Sequence, residues 1–319
     1  MTPRAERLAP AVFRLPVERI RDGYYSDAYF NYTKELLEHE DRNPRVTMQV
    51  FQRKESILGG IDEAIAVLKQ CSGRRGVDGT WEDGWDALEV RALREGDAIS
   101  PWETVMTIEG AYPLFAHLET VYLGCLARRT LIMRNVAEVV EAAHGKPILF
   151  FPARHDHWLV QTGDGWAAHV AGAIGVSTDA QASWWGGRGV GTVPHGLIAA
   201  YGGDTVAAAS AFARRYAHDM NVTVLVDFVN DSVRTALDVA PGALLEHGDR
   251  LVDPAEDRLL LLEDLHQHAR AVALELEQVA RQVEVLVGVI PLAHALDGQA
   301  ERLGGQAGHA VILCTTSPH

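Results

Sequence analysis

Residues 172–201 read GAIGVSTDAQASWWGGRGVGTVPHGLIAAY, and the rhythm of this stretch decides the fold. A short extended run at 175–180 leads into a helix-favouring stretch at 182–185, and a second at 191–192 leads into 197–201. The same order recurs on both sides, as 147–151 then 165–174 upstream and 222–227 then 232–240 downstream. Strand followed by helix, repeated in this way, predicts a parallel sheet or barrel with helices on its outside. Polar residues that follow the strands of such a fold gather at one end, so they are the ones to inspect for chemistry.

Closer to the N-terminus the rhythm differs. Residues 29–38 predict a helix with Ser26 or Asp27 as its cap, 45–51 alternate as a strand, and 56–70 return to a helical period. Stretches 81–95 and 101–108 read as short strands, with Gly96 and Gly110 as turns. Residues 114–144 are helical, as two helices broken near 130–135. The expected organisation is a small N-terminal domain at 1–115, a barrel portion at 116–240 and an atypical tail at 241–319. From Pro241 onward there is no aromatic residue and no lysine, and 257–289 has a helix-forming composition. The tail is therefore expected to be helix or disordered chain rather than further strand–helix units, which leaves the barrel incomplete.

Composition limits the function. Hydrophobic residues make up 47% and charged residues 23% of the 319, as in an ordinary globular protein. Lys plus Arg number 29 against 43 Asp plus Glu, a net charge of −14, so no general attraction to nucleic acid or anionic membrane is expected. Residues 1–16 lack a signal-peptide apolar block, and no apolar run is long enough to cross a bilayer, which predicts a cytoplasmic protein. Cys71, Cys125 and Cys314 are too scattered for a disulfide framework or a zinc cluster.

Three segments carry residue types suited to chemistry. Gly189-Val190-Gly191-Thr192-Val193-Pro194-His195-Gly196 combines small residues that let a ligand approach the backbone with a histidine able to act as nucleophile or proton carrier. A tight turn with a packed histidine is the alternative. Phe150-Phe151-Pro152-Ala153-Arg154-His155-Asp156-His157 places Arg154 after a strand, where a guanidinium can grip a carboxylate or phosphate in bidentate fashion. Its His155 and His157 also have the spacing of a barrel metal hydrolase, against a plain polar strand end facing water. Tyr24-Tyr25-Ser26-Asp27-Ala28-Tyr29-Phe30 could sandwich a planar base, with Asp27 fixing its orientation, or could staple a helix start. No phosphate-binding P-loop or dinucleotide fingerprint is present.

In this order the segments resemble the nicotinate phosphoribosyltransferase family, in particular its shorter bacterial and archaeal branch. Ser26-Asp27-Ala28-Tyr29-Phe30 is similar to the family's N-terminal Thr-Asp-x-Tyr element, and residues 43–51 to the strand after it. Residues 101–105 and 118–124 resemble the approach to the long helix. Arg154, Gly175-Val176-Ser177-Thr178, Gly191-Thr192-Val193-Pro194-His195 and Val224-Leu225-Val226-Asp227 follow in succession. The resemblance covers about residues 20–240. It implies an α/β chain with an irregular (β/α) barrel of the type II phosphoribosyltransferase kind and a smaller N-terminal α/β or β-sandwich domain. The reaction it implies joins nicotinate to phosphoribosyl pyrophosphate in a homodimer, with Mg²⁺ and with ATP hydrolysis coupled through a phosphohistidine. His195 would be the phosphorylated residue. Tyr29 would stack on the pyridine, with Asp27 beside it and Arg154 on the carboxylate or a phosphate. Ser177, Thr178, Thr192 and Asp227 would complete the substrate-binding set. Gly196 departs from the serine common after the family's histidine. After Ala240 the family's later Arg-Leu-Asp and glycine turns do not occur, which implies an open phosphate cup. A non-catalytic remnant and a His-x-His metal hydrolase are the competing readings.

Overall fold

The computed structural model describes residues 6–220 and 222–245, in two compact units that divide between Val190 and Gly191. The first unit opens with helices α1 (Val17–Arg21) and α2 (Ala28–His39). It continues through β1 (Arg45–Phe51), β2 (Ser56–Ile57), α3 (Ile61–Cys71), β3 (Gly73–Arg75), β4 (Trp81–Asp83), β5 (Glu89–Ala92), β6 (Ala98–Ile99) and β7 (Thr104–Ala111). The long helix α4 (Glu119–Ala142) leads to β8 (Leu149–Phe150), α5 (Gln161–Val170), β9 (Gly175–Val176) and α6 (Asp179–Ala182). The second unit holds α7 (His195–Ala200), α8 (Thr205–Tyr216) and α9 (Ser232–Leu245).

The chain is α/β. Its N-terminal sheet is antiparallel in the order β1-β7-β5, with Arg45 opposite Ala111 and Glu89 opposite Glu109. The buried residues Met106 and Ile108 of β7 join Leu58, Ile61, Leu68, Phe115, Leu118, Tyr122 and Leu126 in one core, so the sheet is closed by helices α3 and α4. Of the two N-terminal alternatives, this is the α/β one. Parallel pairing among the described residues consists of β8 with β9 and a bridge between Val193 and Val224.

Four sequence expectations change. Residues 56–70 are not helical throughout, because Ser56 and Ile57 pair with Ile99 and Ala98 and the helix begins only at Ile61. Helix α4 is continuous across 130–135, where a break was expected. Thr130, at the start of the expected break, is a buried anchor: its Oγ1 donates to the Gly59 carbonyl and accepts from its amide, both at 3.2 Å. Helix α5 starts at Gln161 rather than 165 and contains Gly163 and Gly165. A Cβ on Gly163 would lie 2.0 Å from the Arg129 guanidinium, and one on Gly165 2.2 Å from the Gln181 backbone, so both glycines are needed for close packing. Segment 222–227 pairs only at Val224 instead of forming a full strand. The sequence reading also passed over α8, which Asp204 starts by accepting from the Ala207 amide at 2.9 Å. The expectation for the tail falls, beyond Leu245, outside the described residues.

Candidate functional site

Asp27 stands at the N-cap position of α2, yet its carboxylate does not cap that helix. Its Oδ2 accepts the Thr120 hydroxyl at 2.9 Å and the Tyr29 hydroxyl at 3.3 Å, while its own amide donates to Thr120 Oγ1 at 3.0 Å. Thr120 and Glu119 occupy the first turn of α4. The Tyr29 side chain stays 59% exposed, its ring tilted against Phe30 with centroids 4.4 Å apart. Loss of hydration and the nearby Asp27 and Glu119 carboxylates raise the Tyr29 phenol above its ordinary value, and burial raises Glu119. The result is an exposed aromatic ring with the Asp27 carboxylate at its hydroxyl end.

Arg154 is exposed on a turn in which the amides of His155 and Asp156 donate to the Pro152 carbonyl at 2.8 and 3.3 Å. It has no ion pair among the described residues. The turn itself is fastened on two sides. Asp156 meets Arg128 at 3.2 Å, and Arg128 grips Asp164 at 3.0 and 2.7 Å. Asp164 also takes Arg129 at 2.7 Å, and Arg129 reaches Glu63 of α3 at 3.1 Å. On the other side, Gln161 Nε2 donates to the Ala153 carbonyl at 3.5 Å while its Oε1 accepts Thr178 Oγ1 at 3.0 Å.

Thr178 is the N-cap of α6, and Ser177 precedes it. Gln181 Oε1 accepts from the Ser177 amide and hydroxyl, each at 3.0 Å, and Thr178 Oγ1 accepts from the Gln181 amide at 3.1 Å in a reciprocal capping box. His157 Nδ1 accepts from the Leu159 amide at 3.3 Å, a local capping bond. No group of three or more His, Cys, Asp or Glu side chains able to hold a metal occurs among the described residues. The tryptophans at 184 and 185 pack: Trp184 edge-on to Phe13, Trp185 stacked on His169 at 4.3 Å.

In the second unit, Val193 is buried and its amide donates to the Thr223 carbonyl at 2.8 Å. This holds Thr192 and His195 on one strand end and Asp227 on the neighbouring one. His195 is the first residue of α7, and its Nε2 lies 2.7 Å from Asp227 Oδ1. The two side chains are 51% and 57% exposed, and Phe228 meets the imidazole edge-on at 5.9 Å. Asp227, expected to contact substrate, thus has one oxygen on the histidine. An imidazole whose Nε2–H points at a carboxylate keeps its lone pair on Nδ1.

Sequence reasoning named the exposed groups and missed their supports: Thr120, Arg128, Arg129, Gln161 and Asp164. The Leu118-Glu119-Thr120 motif marked Thr120 by position. Nothing local marked the others: the partners of Gln161 lie 8 and 17 residues away and Arg129 reaches Glu63 across 66.

Known proteins were compared on this basis. Residues 27–130 match the model of the quinolinate phosphoribosyl transferase N-terminal domain. Nicotinate phosphoribosyltransferase pncB1 of Mycobacterium tuberculosis is 28% identical over 173 residues, 53% of this chain and 38% of that protein. Its pncB2 counterpart is 29% identical over 206 residues, 62% of this chain and 41% of that protein. The crystal structure of nicotinate-nucleotide pyrophosphorylase from Pyrococcus furiosus is similar at 30% identity with a TM-score of 0.63, covering 73% of this chain and 57% of that one. The chain spans about two-fifths of the length of the curated relatives it matches. The ordered motifs, the matched N-terminal domain and these relatives agree that the chain is related to the nicotinate phosphoribosyltransferase family.

Proposed function

We propose that the chain is a phosphoribosyltransferase of NAD biosynthesis that joins nicotinate to phosphoribosyl pyrophosphate, releases pyrophosphate, and couples ATP hydrolysis through phosphorylated His195. The observation that carries this reading is the 2.7 Å contact of His195 Nε2 with Asp227, which leaves Nδ1 as the nucleophilic atom. In the phosphorylation step the Nδ1 lone pair forms a bond to the γ-phosphorus of ATP as the bond to the ADP oxygen breaks. Positive charge on the imidazole is balanced by Asp227, and water later takes the phosphoryl group.

On the base side, Tyr29 offers an exposed ring for stacking, with Asp27 held by Thr120. Arg154, with no ion pair among the described residues, is available to a ring carboxylate in bidentate geometry. Asp27 and Glu119 beside Tyr29 repel a second carboxylate on the ring, which supports nicotinate over quinolinate. Ser177, Thr178 and Thr192 would line the ribose and phosphate path. The described carboxylates make no resident metal site, so Mg²⁺ in this reading arrives with the phosphates of its substrates and no step is assigned to it. An irregular (β/α) barrel, homodimer assembly and a cytoplasmic location belong to the same reading.

The test uses the whole purified chain. ATP carrying a labelled γ-phosphate should give an acid-labile, base-stable phosphoprotein, and His195→Ala should abolish it together with any ATP stimulation of transfer. Equal labelling of the mutant would remove His195 from the reaction.

A further inference from the structure

Residues 7–13 take no part in the proposed reaction and run along α3 from its first turn to its last. Arg7 meets Asp62 Oδ1 at 2.6 Å and donates to the Leu93 and Ala92 carbonyls at 2.7 and 3.1 Å. The Leu8 amide donates to Asp62 Oδ2 at 2.9 Å, and at the other end of the helix Gln70 Nε2 donates to the Pro10 carbonyl at 3.2 Å. Asp62 is 5% exposed, so its charge needs partners in place of water, and this segment supplies them. Phe13 then closes an aromatic cluster. It is buried with Ala66 of α3, Trp166 of α5 and Trp184, and it meets the Trp184 ring edge-on with centroids 4.7 Å apart. Leu8, Val12 and Trp185 pack around the same cluster.

Trp184 lies in the turn Ser183–Trp185 that directly follows α6. Helix α6 is a single turn of four residues, far below the roughly 12–15 that an isolated helix needs, so its place is set by what is attached to its ends. At its start stand the capping box of Thr178 with Gln181 and the bonds from the Ser177 amide and hydroxyl to the same glutamine. Beyond its end stands Trp184, held between the Phe13 ring, Trp166 and the Arg129 guanidinium at 5.9 Å. The position of the Ser177 and Thr178 hydroxyls therefore depends on an anchor that an N-terminal side chain completes.

We propose that residues 7–13 are a positioning strap for the Ser177–Thr178 turn. Phe13 acts through Trp184 to fix where the two hydroxyls stand, and the bonds of Arg7 and Leu8 to Asp62 hold the strap on α3. The functional half of the proposal rests on the reading that Ser177 and Thr178 line the ribose and phosphate path. Under it, the strap governs affinity for phosphoribosyl pyrophosphate without touching that substrate, while the base side, built on Tyr29 and Asp27, is anchored separately by Thr120.

The test uses the whole chain and two measurements. Native-state hydrogen exchange follows the Gln181 and Ala182 amides, which donate to the Thr178 hydroxyl and carbonyl at 3.1 and 3.2 Å. Phe13→Ala should speed their exchange about tenfold, the factor that an aromatic contact supports, and leave the amides of β1 and β7 unchanged. Calorimetry should show phosphoribosyl pyrophosphate binding weakened about fivefold in Phe13→Ala, restored in Phe13→Leu, and nicotinate binding unaltered in both. Arg7→Gln frees the other end of the strap and should give the same pattern, which keeps the test in force if Phe13→Ala does not fold. Unchanged exchange at Gln181 and Ala182, or exchange raised equally in β1 and β7, would overturn the strap. Faster exchange with phosphoribosyl pyrophosphate affinity unchanged, or with nicotinate affinity lost equally, would overturn its role in binding. A parent chain that binds no phosphoribosyl pyrophosphate would count against the transferase reading, and the exchange result alone would then decide the strap.

Discussion

The turn that carries Arg154 and the strand ends that carry His195 hold their key residues by opposite means. Arg154, with no ion pair among the described residues, sits on a turn whose Asp156 is the outer end of a chain of ion pairs running inward through Arg128, Asp164 and Arg129 to Glu63. Asp164, Arg129 and Glu63 are nearly or fully shielded from water. His195 has one exposed carboxylate beside it and a single bridge between Val193 and Val224 behind it. A buried network fixes geometry at the cost of desolvation and punishes the loss of any member. An exposed pair adds little stability and leaves its imidazole free to change partners.

The first way to break this contrast is Asp164→Ala, which leaves Arg128 and Arg129 without their shared carboxylate. Stability measured by urea unfolding should fall by about 3–5 kcal/mol, the scale for an uncompensated buried charge. A loss below about 1 kcal/mol would show that the network is not a structural brace.

Glu95 sharpens the same point through pH. Its carboxyl accepts from the Gly60 and Asp62 amides at 3.0 and 3.2 Å, and burial together with Asp62 raises it to about 8. The folded state then holds a proton that the unfolded chain has released above its ordinary value. Stability from this group is full at acid pH and is lost as pH rises toward 8. Glu95→Gln, which keeps the carbonyl acceptor, should raise Tm relative to the parent at pH 8 and much less at pH 5. A pH-independent difference would contradict the raised value.

On the base side, Tyr29→Ala should weaken nicotinate binding by about tenfold in calorimetry, the size of an aromatic contact, without altering Tm. Unchanged affinity would take Tyr29 out of the pocket. The exposed pair is also expected to contribute little stability. Asp227→Asn should change unfolding free energy by no more than about 0.5 kcal/mol while abolishing phosphohistidine formation. A large loss of stability would make the pair structural after all.

Local patterns in the sequence were reliable wherever local physics decides. Strand 45–51 is reproduced at both ends, and helix 29–38 extends by a single residue at each end. Two of the failures share one cause, polar or small residues serving partners distant in sequence. Thr130 stands where a break is expected and instead ties α4 to Gly59, while Gly163 and Gly165, inside a helix expected to begin only at 165, make room for Arg129 and Gln181. Within the site, the motifs located His195, Asp27, Tyr29 and Arg154. The contact of His195 with Asp227 and the pairing of Arg128 with Asp164 join residues 32 and 36 apart, and no periodicity reports such a distance.

Helix α4 has a consequence for the order in which the chain matures during synthesis. Its first turn waits on Asp27, already made, and its middle turns reach back to Gly59 and Glu63. Arg128 and Arg129, however, find their shared carboxylate only when Asp164 has left the ribosome. A nascent chain ending near residue 130, where the family-model match stops, would hold Arg128 without its carboxylates and Arg129 with Glu63 alone against a half-formed core. The stretch that evolution treats as a domain is thus not the stretch that can close on its own, and the cooperative folding unit extends at least through α5.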